Sequence, residues 1–350
     1  MLHTDITPGR TVNIDGRNCL FFSGFSYLGL HQQPEFKKNI AAGIEQYGAL
    51  FPSSRAGNLR LTLYEEIEHA LSTLMEQQAA VVFSSGYLAA QAAVHYAATR
   101  GQILYAPDAH PSLWHHNPAL PTLDRDAWIK ETVTKVNQQP DNTYVIVTDA
   151  VNPLTGTVHG FNWLPDIRRK VLLLIDDSHG IGILGPDGQG CAHFLPGTDY
   201  VRCLITTSLA KAYSLEGGVV AGCAADIAAL KKTTFFTAST PLMPANAYAW
   251  LQSTELVKKM RTVLQQNIAY LLHLVAGTTV HNPHALPMFV LPEKEGQASI
   301  AAYLAERDVI ISSFAYPFPH SRPVNRAVVS ALHLQKDMTT LHLFLKEFGL

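Results

Sequence analysis

Val171-Leu-Leu-Leu-Ile-Asp-Asp-Ser-His-Gly180 is the stretch on which the fold turns. Five aliphatic residues in succession, Val171 to Ile175, are too few to cross a bilayer. They fit a strand buried on both faces. An acid pair, a hydroxyl and an imidazole follow at once. The pattern recurs along the chain. Ile103–Ala106 runs into Pro107-Asp108-Ala109-His110, Tyr144–Thr148 into Asp149, and Cys203–Thr207 into Ser208-Leu209-Ala210-Lys211. Gly218–Ala221 reads as one further strand. Helical spacing fills the intervals, as in Leu63–Met75 and Leu88–Ala98. Strand and helix in alternation predict an α/β fold with a large, mostly parallel sheet and helices on both faces.

The last third reads differently. Residues 245–276 form one long helix or two, Met288–Leu291 and Ala327–Ser330 read as strands, and Lys336–Phe348 as a closing helix. This predicts a smaller α+β domain, with the boundary near 235–245, where Pro241 and Pro244 interrupt the helix pattern. The expected division is an N-terminal segment 1–30 packing with the small domain, a large domain 31–240 and a small domain 241–350.

Composition narrows the function. The 350 residues are 47% hydrophobic, enough for a core without a disulfide scaffold. Lys+Arg 26 against Asp+Glu 28 gives a net charge of −2, which argues against nucleic acid as a partner. Charged residues are 15% of the chain, against about 25% in a typical soluble one. A low-charge surface is often covered by a second subunit, so an oligomer is expected. Cysteines at 19, 191, 203 and 223 form no CxxC pair, which fits buried thiols in a reducing compartment. The first residues carry neither a basic n-region nor an apolar h-region, so a cytoplasmic location is expected and no membrane partner.

In an open parallel sheet, ligands bind beyond the carboxyl ends of the strands. The residues gathered there are acids, imidazoles, a hydroxyl and Lys211. Each has an ordinary alternative: an acid after a strand is often a helix cap, and a lone lysine is often a solvated charge. Lys211 sits beside Leu209 and Ala210 and ahead of Gly217-Gly218, which favours a built site. Pyridoxal phosphate chemistry uses this set: a lysine amine for the aldehyde, a carboxylate for the pyridine nitrogen, and glycine amides with hydroxyls for the phosphate. Ser84-Ser85-Gly86-Tyr87, opening a helix, suits that phosphate. Competing motifs are incomplete. There is no Walker A loop and no GxGxxG after a strand. Ser208-x-x-Lys211 lacks the SDN and KTG partners of penicillin-recognising enzymes, and Gly24-Phe25-Ser26-Tyr27-Leu28 misses GxSxG at its last position. His110, His115 and His116 come without HExxH or an acidic cluster, so no metal is expected.

The motifs in sequence resemble those of the α-oxoamine synthases, the acyl-CoA-dependent branch of fold-type I pyridoxal phosphate enzymes. Tyr27-Leu-Gly-Leu30 resembles SNDYLGL, Ser53-Ser54-Arg55 resembles GSR, and Phe83-Ser-Ser-Gly-Tyr87 resembles FxSGF. Asp108-Ala-His110 resembles DHAS, and Ile175–Gly185 resembles DEAHGxGVLG. Thr207-Ser-Leu-Ala-Lys-Ala212 resembles TxSKA, Ser239–Pro244 resembles STxLPP, and Asn325–Ala331 resembles RLRxxLSA. The resemblance runs from about residue 18 to 348.

It implies residue roles. Lys211 would bond the cofactor aldehyde and shuttle the Cα proton. Asp176 would pair with the pyridine nitrogen, His179 would bond the ring O3′, and His110 would stack on the ring. Ser85, Gly86, Tyr87 and Ser208 would hold the phosphate. Ser239 and Thr240 would reach the phosphate of a neighbouring subunit, implying a homodimer with shared sites. Arg326 would clamp the amino-acid carboxylate, with Arg55 also on the substrate side. The implied reaction condenses an amino acid with an acyl-CoA or acyl-carrier thioester, losing carbon dioxide and giving an aminoketone. The commonest member of the family joins alanine to a pimeloyl thioester; glycine- and serine-using members share the motifs. A class I/II aminotransferase on the same fold and a non-catalytic binding subunit are the alternatives.

Departures fall mostly on the substrate side. Phe25 and Ser26 replace the Asn and Asp of SNDYLGL, Asp177 replaces the Glu of DEAH, and Val324 replaces the first Arg of RLR. Pro153 takes the place of a serine near O3′, where Asn152 is the expected substitute. Most of the family's leading helical arm is expected to be missing.

Overall fold

Val171–Asp176 is a strand in which every residue is buried. The computed structural model describes residues 2–139, 141–293, 298–315 and 323–350. Its strands in chain order are β1 (Thr11–Ile14), β2 (Arg17–Phe22), β3 (Ala79–Phe83), β4 (Gln102–Tyr105), β5 (Tyr144–Asp149), β6 (Val151–Asn152) and β7 (Thr157–Val158). They continue with β8 (Val171–Asp176), β9 (Val201–Ser208), β10 (Gly218–Gly222), β11 (Met288–Leu291), β12 (Val309–Ala315) and β13 (Pro323–Val328).

The large sheet has the order β3-β10-β9-β8-β5-β4. Strands β4, β5, β8 and β9 run parallel, and β10 is antiparallel to both of its neighbours. Continuous apolar runs gave the parallel strands away in the sequence, because both faces of such a sheet are covered. Strand β3 has no such signal: its first two residues are alanines. The helix Gly86–Ala98 lies on this sheet through Ala89, Ala90, Ala92 and Ala93, side chains small enough for a close approach. Its N-terminus meets the end of β9.

The second sheet has the order β1-β2-β12-β13-β11. The N-terminal hairpin β1–β2 enters it by parallel pairing of β2 with β12, so the two ends of the chain share one sheet. Residues 245–276 resolve into two helices, Pro244–Gln252 and Thr254–Leu274, separated at Ser253. The strand expected over Ala327–Ser330 is displaced toward the N-terminus, because beyond Val328 the backbone leaves the ladder. The Val329 amide donates to Pro287, the Ala331 amide to Tyr27, and the Ser330 amide to His333 Nδ1. One core cluster extends from the face of the large sheet through Phe22, Leu28 and Met75 to Leu341, and a second fills the opposite face around Val147, Leu174 and Val220. All four cysteines are free.

Candidate active site

The carboxyl ends of β5, β8 and β9, with the loop after β4, enclose a cavity of about 140 Å³. His110, Asp149, Asn152, Asp176, His179 and Lys211 line it. The topology gathers them: β5 ends in Asp149, its neighbour β8 ends in Asp176, and Lys211 lies three residues past the end of β9.

Asp176 is buried, and its carboxylate is held on both oxygens. The Ser178 amide donates to Oδ1 at 2.8 Å and the Ser112 hydroxyl donates to Oδ2 at 3.1 Å. Ser112 Oγ also lies 2.7 Å from His110 Nδ1, which links the imidazole to the carboxylate through one hydroxyl. Burial lowers the pKa of His110, with Lys211 adding to the effect against Asp176. Burial also lowers the Lys211 amine, opposed by Asp176 and Asp149 and reinforced by Arg326. An amine so shifted is more often neutral and nucleophilic at neutral pH.

His179 is oriented by Tyr27, whose Oη is 2.7 Å from Nδ1. Burial drives the pKa of His179 well down and that of Tyr27 up, so both are neutral. A phenol that donates to Nδ1 leaves the ring proton on Nε2, the nitrogen free to face a ligand. Arg326 stands on β13 of the second sheet, 9% exposed. Its Nη1 donates to the Pro153 carbonyl at 2.8 Å, and its charge is felt at both His179 and Lys211.

The helix Gly86–Ala98 begins beside the same sheet edge. Its cap, Ser85, accepts from the Leu88 amide at 3.1 Å, which leaves the Gly86 and Tyr87 amides at an N-terminus that favours an anion. A Cβ on Gly86 would lie 2.4 Å from Ser208 Cβ, so only glycine lets helix and strand end meet here. Amides at a helix start, facing a serine hydroxyl, form a cradle of phosphate chemistry. With a lysine, a buried carboxylate and two neutral imidazoles in the adjoining cavity, these residues fit pyridoxal phosphate.

Several sequence expectations land elsewhere. Arg55 does not line this cavity. Its guanidinium is 2.6 Å from Glu68, donates to the Val82 carbonyl and packs over Tyr64 and Phe236. The buried Glu68 carboxylate requires a cation, and Arg55 with Lys231 supplies it. Ser239 and Thr240 were expected at the site of a neighbouring subunit, not at this one: in this chain they lie outside the cavity, where the Ser239 hydroxyl donates to the Phe235 carbonyl and Thr240 is exposed. Asn152 lines the cavity, but its amide is already engaged. Nδ2 donates one of its two hydrogens to Asp108 at 2.9 Å and Oδ1 accepts from Leu154 at 2.9 Å, which fixes the orientation of the amide. Asp108 is the hub behind it, bonded to His159 and Arg125 as well. Burial alone would raise its pKa; these partners outweigh it and hold the carboxyl well below the usual range. Sequence reasoning gave no role to Tyr27 or Ser112, although Tyr27 opens the YLGL motif. The histidines His95, His115 and His116 pack edge-on and tilted against one another, yet among the described residues no group of side chains is placed to hold a metal ion.

A parallel sheet whose strand ends bring a lysine, an aspartate and two histidines to a phosphate cradle defines a fold-type I pyridoxal phosphate enzyme. Residues 121–340 match the aminotransferase class I and II family. An 8-amino-7-oxononanoate synthase of Dechloromonas aromatica is 29% identical, over 98% of this chain and 93% of that protein. A putative 8-amino-7-oxononanoate synthase of Caulobacter sp. (strain K31) is 31% identical, over 73% of this chain and 68% of that protein. Among solved structures, serine palmitoyltransferase of Sphingomonas wittichii shares the fold, with a TM-score of 0.83 and 16% identity over 99% of this chain and 92% of that one. The 8-amino-7-oxononanoate synthase of Francisella tularensis does so with a TM-score of 0.70 and 22% identity, over 94% and 97%. The chain belongs to the class I and II aminotransferase family and, within it, to the pyridoxal-phosphate-dependent α-oxoamine synthases. It is an acyltransferase. Among the described residues no helix is long and apolar enough to cross a membrane.

Proposed function

We propose that this chain condenses alanine with a pimeloyl-type acyl thioester, releasing the thiol and carbon dioxide and leaving an aminoketone. The observation that carries the reading is the single cavity in which Lys211, Asp176, His110 and His179 meet, with Arg326 reaching toward it from the second sheet. The curated relatives named for 8-amino-7-oxononanoate synthesis support the choice of substrates.

Bound at this site, pyridoxal phosphate supplies an electron sink for the charge that develops at the amino acid Cα. The chain's own residues do the rest. Lys211 would hold the aldehyde through its amine, and once the amino acid's own amine has displaced it, the freed Nζ would accept the Cα proton and later return one. Asp176 keeps a proton on the pyridine nitrogen. His179 would bond the ring hydroxyl oxygen, and His110 would stack on the ring. Gly86, Tyr87, Ser85 and Ser208 bind the phosphate, and Arg326 clamps the substrate carboxylate with its planar fork. Ser239 and Thr240 serve the site of a second copy, which makes the working unit a homodimer in the cytoplasm. The division at residues 30 and 240 belongs to the same reading.

The test is a condensation assay on the purified protein. Alanine, glycine and serine are each paired with pimeloyl-CoA, acetyl-CoA and palmitoyl-CoA, and thiol release and product mass are recorded. Alanine with pimeloyl-CoA is expected to give the fastest turnover. Thiol release only with glycine or serine would move the chain to those branches of the family. Amino-group exchange with a 2-oxo acid, and no thiol release from any donor, would make it an aminotransferase.

A further inference from the structure

Two carboxyls, not one, reach the sheet edge beside Lys211. Asp149 closes β5 and Asp176 closes β8, and the two are partners in the parallel register. Each is 7% exposed, and both line the cavity. Two ionised carboxylates side by side in a poorly screened interior repel, so the stable arrangement carries one proton on the pair.

The hydrogen bonds distinguish the two. Asp176 accepts from two donors, the Ser178 amide and the Ser112 hydroxyl, which favour its ionised form. Asp149 accepts from one, the His110 amide, 2.9 Å from Oδ2. Its other oxygen has no hydrogen-bond partner among the described residues. The titratable groups around Asp149 are Asp176 on β8, Lys211 after β9, Asp108 and His110 after β4, and Arg125 at the start of the helix Arg125–Gln138, whose guanidinium donates to the neighbouring Thr148 hydroxyl at 2.9 Å. Burial, Asp176 and Asp108 push its pKa well up, while the His110 amide and Lys211 oppose them.

We propose that Asp149 is a positioning residue: as the protonated member of the pair it tethers His110 through the backbone amide and leaves Asp176 as the one carboxylate facing the cofactor's ring nitrogen. This rests on the cofactor reading above. An Asp149 that ionised would set a second negative charge against Asp176 in a buried site, at the cost of their mutual repulsion.

The full-length protein without cofactor, labelled with carbon-13 at its aspartate carboxyls, gives the first test. NMR spectra across pH, with Asp149→Asn to identify the resonance, are expected to show Asp149 protonated through neutral pH. An Asp149 resonance that titrates in the ordinary carboxylate range overturns the proposal. Cofactor affinity, read by fluorescence quenching, gives the second. Asn is uncharged and can still accept from the His110 amide, so Asp149→Asn is expected to bind pyridoxal phosphate close to wild type, while Asp149→Ala binds at least about tenfold more weakly. An Asn variant as weak as the Ala variant means that the charge is needed, and the proposal falls. If the wild-type protein binds no cofactor, the functional reading fails, and the titration of the free protein still decides the state of Asp149.

Discussion

Asp177 follows Asp176 directly, yet it is not among the residues lining the cavity. It is 1% exposed, and its Oδ2 accepts from the Cys191 amide at 2.8 Å. Burial pushes its pKa up to about 8, with Asp176 adding to the rise and the Cys191 amide and Lys211 opposing it. In the unfolded chain the same carboxyl titrates near about 3.9. Between those values the folded state binds the proton more tightly than the unfolded one. The contribution of Asp177 to stability is therefore complete below about pH 4 and declines as pH rises toward 8. Asp177→Asn, which cannot ionise, is expected to flatten the fall in thermal midpoint between pH 5 and 8. A variant whose midpoint falls as steeply as wild type would show that the carboxyl is already ionised in the fold. At this scale the convergence of Lys211, Asp176, His179 and His110 on one cavity was legible because each follows an apolar strand. Arg55 was expected on the substrate side and in this chain meets the buried Glu68; a cation in a family motif looks the same in either setting.

The junction of the helix Gly86–Ala98 with the end of β9 is an element-scale device. Ser85 caps the helix, and Gly86 lets it come within contact of Ser208. A methyl at Gly86 would also meet Ser208 Cα at 2.9 Å, backbone that cannot swing aside. Gly86→Ala is expected to part helix and strand and to raise the cofactor's Kd at least about tenfold, or about 1.4 kcal/mol, measured by fluorescence titration. Unchanged affinity would remove this junction from the phosphate site. The sequence exposed these elements unevenly. Helix and parallel-strand positions followed from period and burial, and the helix start was visible as Ser-Ser-Gly. The end of β13 was not, because Val329, Ser330 and Ala331 are as apolar or small as strand residues, and their departure is set by distant partners: Pro287, His333 and Tyr27.

The whole molecule brings the two sheets to one site. Lys211 comes from the large sheet; Arg326 comes from the sheet shared by both chain ends and is tied across to the Pro153 carbonyl. Phe22 of β2 stacks on His333 at 4.0 Å, and the Ala331 amide reaches Tyr27, the residue that orients His179. The N-terminal strands thus support the edge of the other sheet that lines the cavity, a long-range link that no local pattern carries. That both sheets serve one lysine is the central claim, and the visible absorbance of the purified protein with pyridoxal phosphate tests it most directly. A yellow band that shifts with alanine, disappears in Lys211→Ala and keeps its position but loses the alanine response in Arg326→Ala is the expected result. A protein that stays colourless with added cofactor, or a Lys211→Ala variant with the wild-type band and the wild-type response, would contradict it.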